Sequence, residues 1–152
     1  MKTYLILLLS LIPLTTMANT YIYKGTSTYR SDILYQWDGK YLYPKTSSYR
    51  SDILISYDGE NIYKGTSTYR SDVLYRWDGK NLYKGTSSYS SDILFSFDGS
   101  HIYKGTSRYR SDILFTIQGK FVYTQTSQYR SDIICTIDGM LPVPVLMLIL
   151  LL

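Results

Sequence analysis

Residues 21–40 read YIYKGTSTYRSDILYQWDGK, and this stretch decides the fold because it returns five more times without insertion or deletion. The further copies are YLYPKTSSYRSDILISYDGE, NIYKGTSTYRSDVLYRWDGK, NLYKGTSSYSSDILFSFDGS, HIYKGTSRYRSDILFTIQGK and FVYTQTSQYRSDIICTIDGM, ending at residue 140. Tyr23, Thr26, Ser27, Tyr29, Ser31, Asp32 and Gly39 keep their residue type in all six. A fixed short period marks an architecture in which one unit cannot bury its apolar surface alone and neighbours must pack on one another.

Within a unit, Asp38-Gly39 reads as the centre of a type I′ turn, which needs positive φ at both residues. The flanks, about Asp32 to Trp37 and Lys40 to Tyr43, are rich in β-branched and aromatic residues and read as strands. A two-residue turn sets Trp37 opposite Lys40, Tyr35 opposite Leu42 and Leu34 opposite Tyr43. One face then carries Ile33, Tyr35, Trp37 and Leu42, the other Leu34, Gln36, Tyr41 and Tyr43. A hairpin apolar on both faces is unstable alone, so six of them must stack or close. The expectation is an all-β fold of six tandem 20-residue hairpins, arranged as a solenoid or a closed toroid. Gln118-Gly119, the variant dipeptide, should form the least regular of six turns.

The connection Gly25 to Ser31 is polar. Gly25 suits positive φ, although Lys45 and Gln125 stand at the same position. Thr26, Ser27 and Asp32 can bond nearby backbone amides and hold a bend without a helix, and Tyr29 is expected to pack between units as a six-fold ladder. Tyr23, Thr26, Ser27, Tyr29, Asp32 and Gly39 therefore read as structural positions. Arg30, Arg50, Arg70, Arg110 and Arg130 form a row that can grip an anion, but each lies two residues from an Asp, which favours a repeated ion pair.

Copies one and three share Thr-Ser-Thr-Tyr and end in Trp37 and Trp77, while copies two and four share Thr-Ser-Ser-Tyr and end in Tyr57 and Phe97. Net charges of +1, −1, +2, −1, +3 and −1 follow the same alternation, which points to duplication of a 40-residue pair. The total of +4 is too modest and too dispersed for a nucleic-acid partner. One His and one Cys in 152 residues leave no disulfide framework, zinc site or repeated catalytic pair. His101 sits at a turn, and Glu60 lies beside Asp58 with no apolar wall to raise a pKa, so no enzyme and no cofactor are expected. Cys135 occupies a position filled elsewhere by Tyr, Ile or Phe and reads as a small buried residue.

The remaining candidates for ligand contact are Trp37, Tyr41, Asn61, Trp77, Asn81 and His101, with Phe121, whose aromatic and amide groups suit a flat polar ligand such as a sugar ring; the bland reading is that the aromatics fill a core poor in aliphatics. Twenty-residue aromatic hairpins with a DG turn resemble the choline-binding repeats of bacterial surface proteins, a likeness that implies a stacked β-solenoid and cell-wall or glucan binding. The run from Ser27 to Ile33 is also similar to the repeat core of septoil-knot domains, which implies a knotted topology.

The ends differ from the repeats. Lys2, an apolar run from Tyr4 to Leu14, and the small residues Thr16 and Ala18 read as a signal peptide over residues 1–18, too short to span a bilayer as a helix. Residues 141–152 are uncharged, and Pro142 and Pro144 favour an extended start. This tail is expected to cap the repeats or fill a central hole, membrane contact being the rival reading. Residues 19–140 form the repeat domain between them. The sequence thus describes an exported, non-catalytic repeat protein of the periplasm, cell surface or medium, a structural or binding scaffold whose partner is a glycan, a cell-wall polymer or another protein. A carbohydrate-binding module and a secreted fibre-forming repeat are the alternatives.

Overall fold

The computed structural model describes residues 18–152; the segment read as a signal peptide lies outside them except for Ala18. Twelve antiparallel strands form one closed barrel. They are β1 (Thr20–Lys24), β2 (Ile33–Trp37), β3 (Tyr41–Pro44), β4 (Ile55–Tyr57), β5 (Asn61–Lys64), β6 (Val73–Trp77), β7 (Asn81–Lys84), β8 (Ile93–Phe97), β9 (His101–Lys104), β10 (Ile113–Gln118), β11 (Phe121–Thr124) and β12 (Ile133–Asp138), followed by the helix α1 (Val143–Ile149). Of the two arrangements expected, the closed toroid is the one adopted and the solenoid is not. Closure leaves every strand with two neighbours, which removes the open edges a hairpin stack would keep.

The ring closes on a sixth hairpin that lacks its turn. β1 pairs with β12 through Ile22 opposite Ile137 and Tyr23 opposite Thr136, the register in which Leu42 meets Trp37 and Tyr43 meets Gln36 inside a covalent hairpin. Asp138-Gly139 is therefore no hairpin turn; it leads the chain away from the seam and into α1. The Met140 carbonyl accepts a hydrogen bond from Thr20 Oγ1 at 2.8 Å, tying the seam together.

The hairpin register differs from the expected one by one residue on each strand. Trp37 faces Leu42, Gln36 faces Tyr43 and Tyr35 faces Pro44, so the turn is centred on Gly39-Lys40. Gly39 has φ +102° and Asp38 is not in the positive-φ region. The reason is the Asp38 carboxylate: its Oδ1 accepts the N–H groups of Lys40 and Tyr41 at 2.9 and 2.7 Å, a side-chain turn that stands in for the backbone carbonyl. Where Gln118 replaces Asp the ladder runs one pair further, with Gln118 opposite Phe121, so this turn is the most fully paired rather than the least regular.

Sliding both strands by one residue preserves side-chain parity, so most of the face assignment stands. Ile33 and Leu34 are the exception. A bulge between β1 and β2 sets Tyr23 opposite Ile33, and it recurs where β5, β7, β9 and β11 meet the next strand. The extra residue flips the parity beyond it, moving Ile33 to the outer face and Leu34 to the lumen.

The second residue of each copy, Ile22, Leu42, Ile62, Leu82, Ile102 and Val122, is sealed inside the ring. These six, with Trp37, Ile55, Phe95 and Cys135, form one cluster with Val145 to Ile149 of α1. Pro144 to Ile149 are all buried, so α1 is covered on every face and lies in the lumen. The tail is a plug, then, but not an extended one: only Pro142 keeps extended backbone (ψ 137°), and Pro144 sits in the first helical turn. A proline fits there because its missing N–H has no acceptor within the helix. Cys135 is sealed in the same core, and burial pushes its thiol up to about 11.

Candidate functional site

The barrel has two chemically different ends. At one lie five hairpin turns and the seam; at the other, the six connections of residues 25–32 and their equivalents. At the turn end Asp38, Asp58, Asp78 and Asp98 are each fully engaged. Asp78 accepts the N–H groups of Lys80 and Asn81, the Asn81 amide at 3.1 Å and the Tyr83 hydroxyl at 2.9 Å. Partial burial pushes its pKa up, but these donors outweigh it and hold the carboxyl at about 2. Asp58 and Asp98 are lowered by the same opposition of burial and hydrogen bonding. Tyr83 is correspondingly raised, first by its bond to Asp78.

This geometry locates the residues expected to meet a ligand. Trp37 is 3% exposed and packs in the lumen, with no indole surface to offer; Trp77 is half-buried against the same core. Tyr41, Asn61, Asn81 and His101 are half-buried on the outer flank beside the turns. Asn81 is tied to Asp78, and His101 Nδ1 lies 3.1 Å from Asp98 Oδ2. The six positions are not brought together in one pocket, and the openings between turns, such as that lined by Gly79, Lys80, Phe97 and Asp98, are shallow and open.

At the loop end every copy repeats one motif. Ser27 Oγ donates to Asp32 Oδ2 at 2.6 Å and accepts the Tyr29 N–H at 3.1 Å, and residues 30–32 make one 3₁₀ turn. Ser47, Ser67, Ser87, Ser107 and Ser127 do the same for Asp52, Asp72, Asp92, Asp112 and Asp132. The bend thus contains a helical turn, and Asp32 acts through the serine hydroxyl rather than on an amide. Thr26 makes no side-chain hydrogen bond among the described residues. All six copies place residue 25 or its equivalent at positive φ, including Lys45 (+52°) and Gln125 (+48°). Four equivalents of position 36 brace the loops from the outer face: Ser56 Oγ donates to the Ser67 carbonyl, Arg76 Nε to that of Ser87, Thr116 Oγ1 to that of Gln125 and Thr136 Oγ1 to that of Gly25.

Two expectations fail here. Tyr29, Tyr49, Tyr69, Tyr89, Tyr109 and Tyr129 do not pack between units; they are 73–76% exposed. The serine–aspartate bond fixes the backbone beneath them, and a short polar loop supplies no apolar wall for the ring. The Arg30–Asp32 ion pair and its copies are likewise absent among the described residues, where the only Arg–carboxylate pair is Arg76–Glu60. With Asp32 turned toward Ser27, Arg30 is left exposed. The sequence holds a signal for both: an aromatic and a cation side by side in a stretch otherwise made of Ser and Thr have no core to enter.

The fold and these two ends define a six-fold, helix-plugged, closed β-repeat barrel with a ring of exposed tyrosines. The chain matches the family described as "6-fold beta flower protein" over residues 22–146 and belongs to that family. The match lends no support to the likeness to choline-binding repeats or septoil-knot domains. No curated protein and no solved structure matches the chain.

Proposed function

We propose that the protein is an exported, non-catalytic binding scaffold and that the loop end is its binding face. The observation that carries this is the ring of six tyrosines, each about three-quarters exposed on a backbone held identically in all six copies. Exposed aromatics on a rigid frame lose little conformational freedom on binding, and six at equal spacing multiply a weak contact. The residues of the turn end are consumed in holding the turns. Export rests on the amino-terminal pattern of residues 1–18.

A carbohydrate or cell-wall polymer is the second reading, and the same tyrosines favour it, since an exposed ring with a neighbouring Arg suits the face and hydroxyls of a sugar. The aromatics that carry that reading are then Tyr29 and its copies rather than Trp37. The fibre reading needs an open strand edge, and each strand already has two neighbours. Capture of isolated cell-wall polymers and a glycan array test the proposal: Tyr29→Ser, Tyr69→Ser and Tyr109→Ser combined should weaken any binding by about tenfold or more. Binding that survives this triple variant but is lost on changing Asn61, Asn81 and His101 would move the binding face to the turn end.

A further inference from the structure

The centre of the loop end is apolar. α1 starts beside the seam at the turn end and, at about 1.5 Å per residue, runs roughly 10 Å through the lumen. Strands of three to six residues, tilted as a barrel requires, enclose a lumen of about that depth. Leu151 and Leu152 therefore emerge at the loop end, 46% and 71% exposed. Around them the bulge turns Leu34 and Leu74 toward the mouth at 37% and 36% exposure, and Leu54 at the same repeat position is 38% exposed, while Leu94, Leu114 and Ile134 are better covered.

Charge is distributed just as unevenly. Residues 24–32 and the five equivalent segments carry eleven Lys and Arg against six Asp, a net +5. Residues 38–41 and their equivalents carry three Lys against five Asp and Glu60, a net −3. Arg108 is turned back toward the turn end by its bond to Ser96 Oγ and lines the opening beside Asp98, which leaves the loop end a net +4; the other loop-end cations have no carboxylate partner among the described residues. Each of the six Asp carboxylates already accepts its serine hydroxyl.

We propose that the loop end docks on an anionic lipid surface, with Leu151, Leu152 and the mouth leucines entering the headgroup layer and the tyrosine ring standing at its level. The proposal rests on the reading of that end as the binding face and names its partner. An apolar centre, an aromatic girdle and a cationic rim together match the layering of a bilayer interface. A polar glycan leaves the leucines and the net charge without a partner. Insertion is shallow, because the rest of the tail is buried in the lumen and no helix of the described residues is long and apolar enough to cross a membrane.

Co-sedimentation of the full chain with phosphatidylcholine vesicles, with and without phosphatidylglycerol, tests it. Binding is expected only with the anionic lipid and should fall as salt is raised. Arg30→Gln, Arg50→Gln and Arg70→Gln should each lower affinity about fivefold, and Leu152→Asp should lower it further. Lys40→Gln and Lys80→Gln at the turn end should change nothing. All these sites are exposed, and unchanged thermal melts confirm folding. Equal binding to both vesicle types, or equal loss with the turn-end variants, overturns the proposal. Salt-sensitive sedimentation without vesicles overturns it in favour of a second copy whose acidic turn end meets this face. If vesicles stay unbound while the tyrosine triple variant still loses polymer capture, the lipid partner is wrong and the binding-face reading stands. If neither the tyrosine nor the arginine variants affect any capture, the binding-face reading itself fails.

Discussion

The turn end and the loop end are built from the same twenty residues, and both use an aspartate to hold a bend, yet only one of them leaves its aromatics free. At the turn end Asp38, Asp58, Asp78 and Asp98 each capture two backbone amides and the hydroxyl of Tyr43, Tyr63, Tyr83 or Tyr103 as well. At the loop end Asp32 spends its hydrogen bond on Ser27, and Tyr29 stands in solvent. An invariant tyrosine is thus structural where its ring lies against the barrel wall, as Tyr123 does at 8% exposure in the copy where Gln118 replaces the Asp, and free where a short polar loop carries it. Identity across copies alone does not separate the two roles.

Removing what both ends share should have the largest effect. A chain ending at Met140 loses five buried side chains, Val145 to Ile149, worth about 8–15 kcal/mol before ordering entropy is subtracted. That rivals the stability of a whole domain, so this chain should aggregate or fail to give a cooperative melt. A soluble, cooperatively melting barrel without the tail would remove the helix from the account of what holds the ends apart. Met147→Ala, a milder test of the same packing, should cost about 2–5 kcal/mol.

Next come two glycines that look alike in sequence but sit at a seam and at a true turn. A Cβ on Gly139 would lie 2.5 Å from Thr20 Oγ1 and 3.0 Å from Thr20 Cα, whereas one on Gly59 meets nothing within 4 Å. Both have positive φ, +122° and +103°. Gly59→Ala should therefore cost the backbone strain alone, about 1–2 kcal/mol, and Gly139→Ala about 1–3 kcal/mol more, since the backbone at the seam cannot yield without opening the ring. Equal melting temperatures for the two variants would place the seam elsewhere.

The carboxylates give the turn end a pH dependence. Asp78 has a folded pKa of about 2 against an unfolded value of about 4, so its contribution is complete above the unfolded value and is lost as pH falls through the folded one. The melting temperature should decline between about pH 4 and pH 2, and Asp78→Asn should flatten part of that decline. A flat profile in the native protein would mean that the amide-to-carboxylate bonds do not differ between folded and unfolded chains.

The smallest effects separate the two tyrosine sets and the left-handed loop position. Tyr69→Ser should change stability by less than about 0.5 kcal/mol, whereas Tyr83→Ser, at a ring 7% exposed and bonded to Asp78, should cost about 2 kcal/mol or more. Lys45→Gly should raise stability by about 0.5–1 kcal/mol, because Lys45 occupies φ +52° where four sister loops place glycine. Urea melts at one temperature resolve both.

The sequence by itself determined the unit, its length, the number of copies, the two strands with a turn between them and the apolar character of the tail. These follow from period and local chemistry: alternation writes strands, Asp-Gly writes a bend, and a shared period demands neighbours. It also marked Cys135 as buried. What only the tertiary structure decided was closure, because Ile22 of β1 meets Ile137 of β12 across a separation of 115 residues, and Thr136 has a partner in Gly25 only once the ring exists. The register slid because a carboxylate oxygen replaced a carbonyl, and Ile33 changed faces with Leu34 because a bulge has no signature in residue type alone. Trp37 looked like a ligand platform and Tyr29 like packing; burial exchanged them. Trp37 is buried because the helix threaded through the lumen stands across from it, a contact that the twenty residues around the ring do not encode, whereas Tyr29 is exposed because its own polar loop offers no wall.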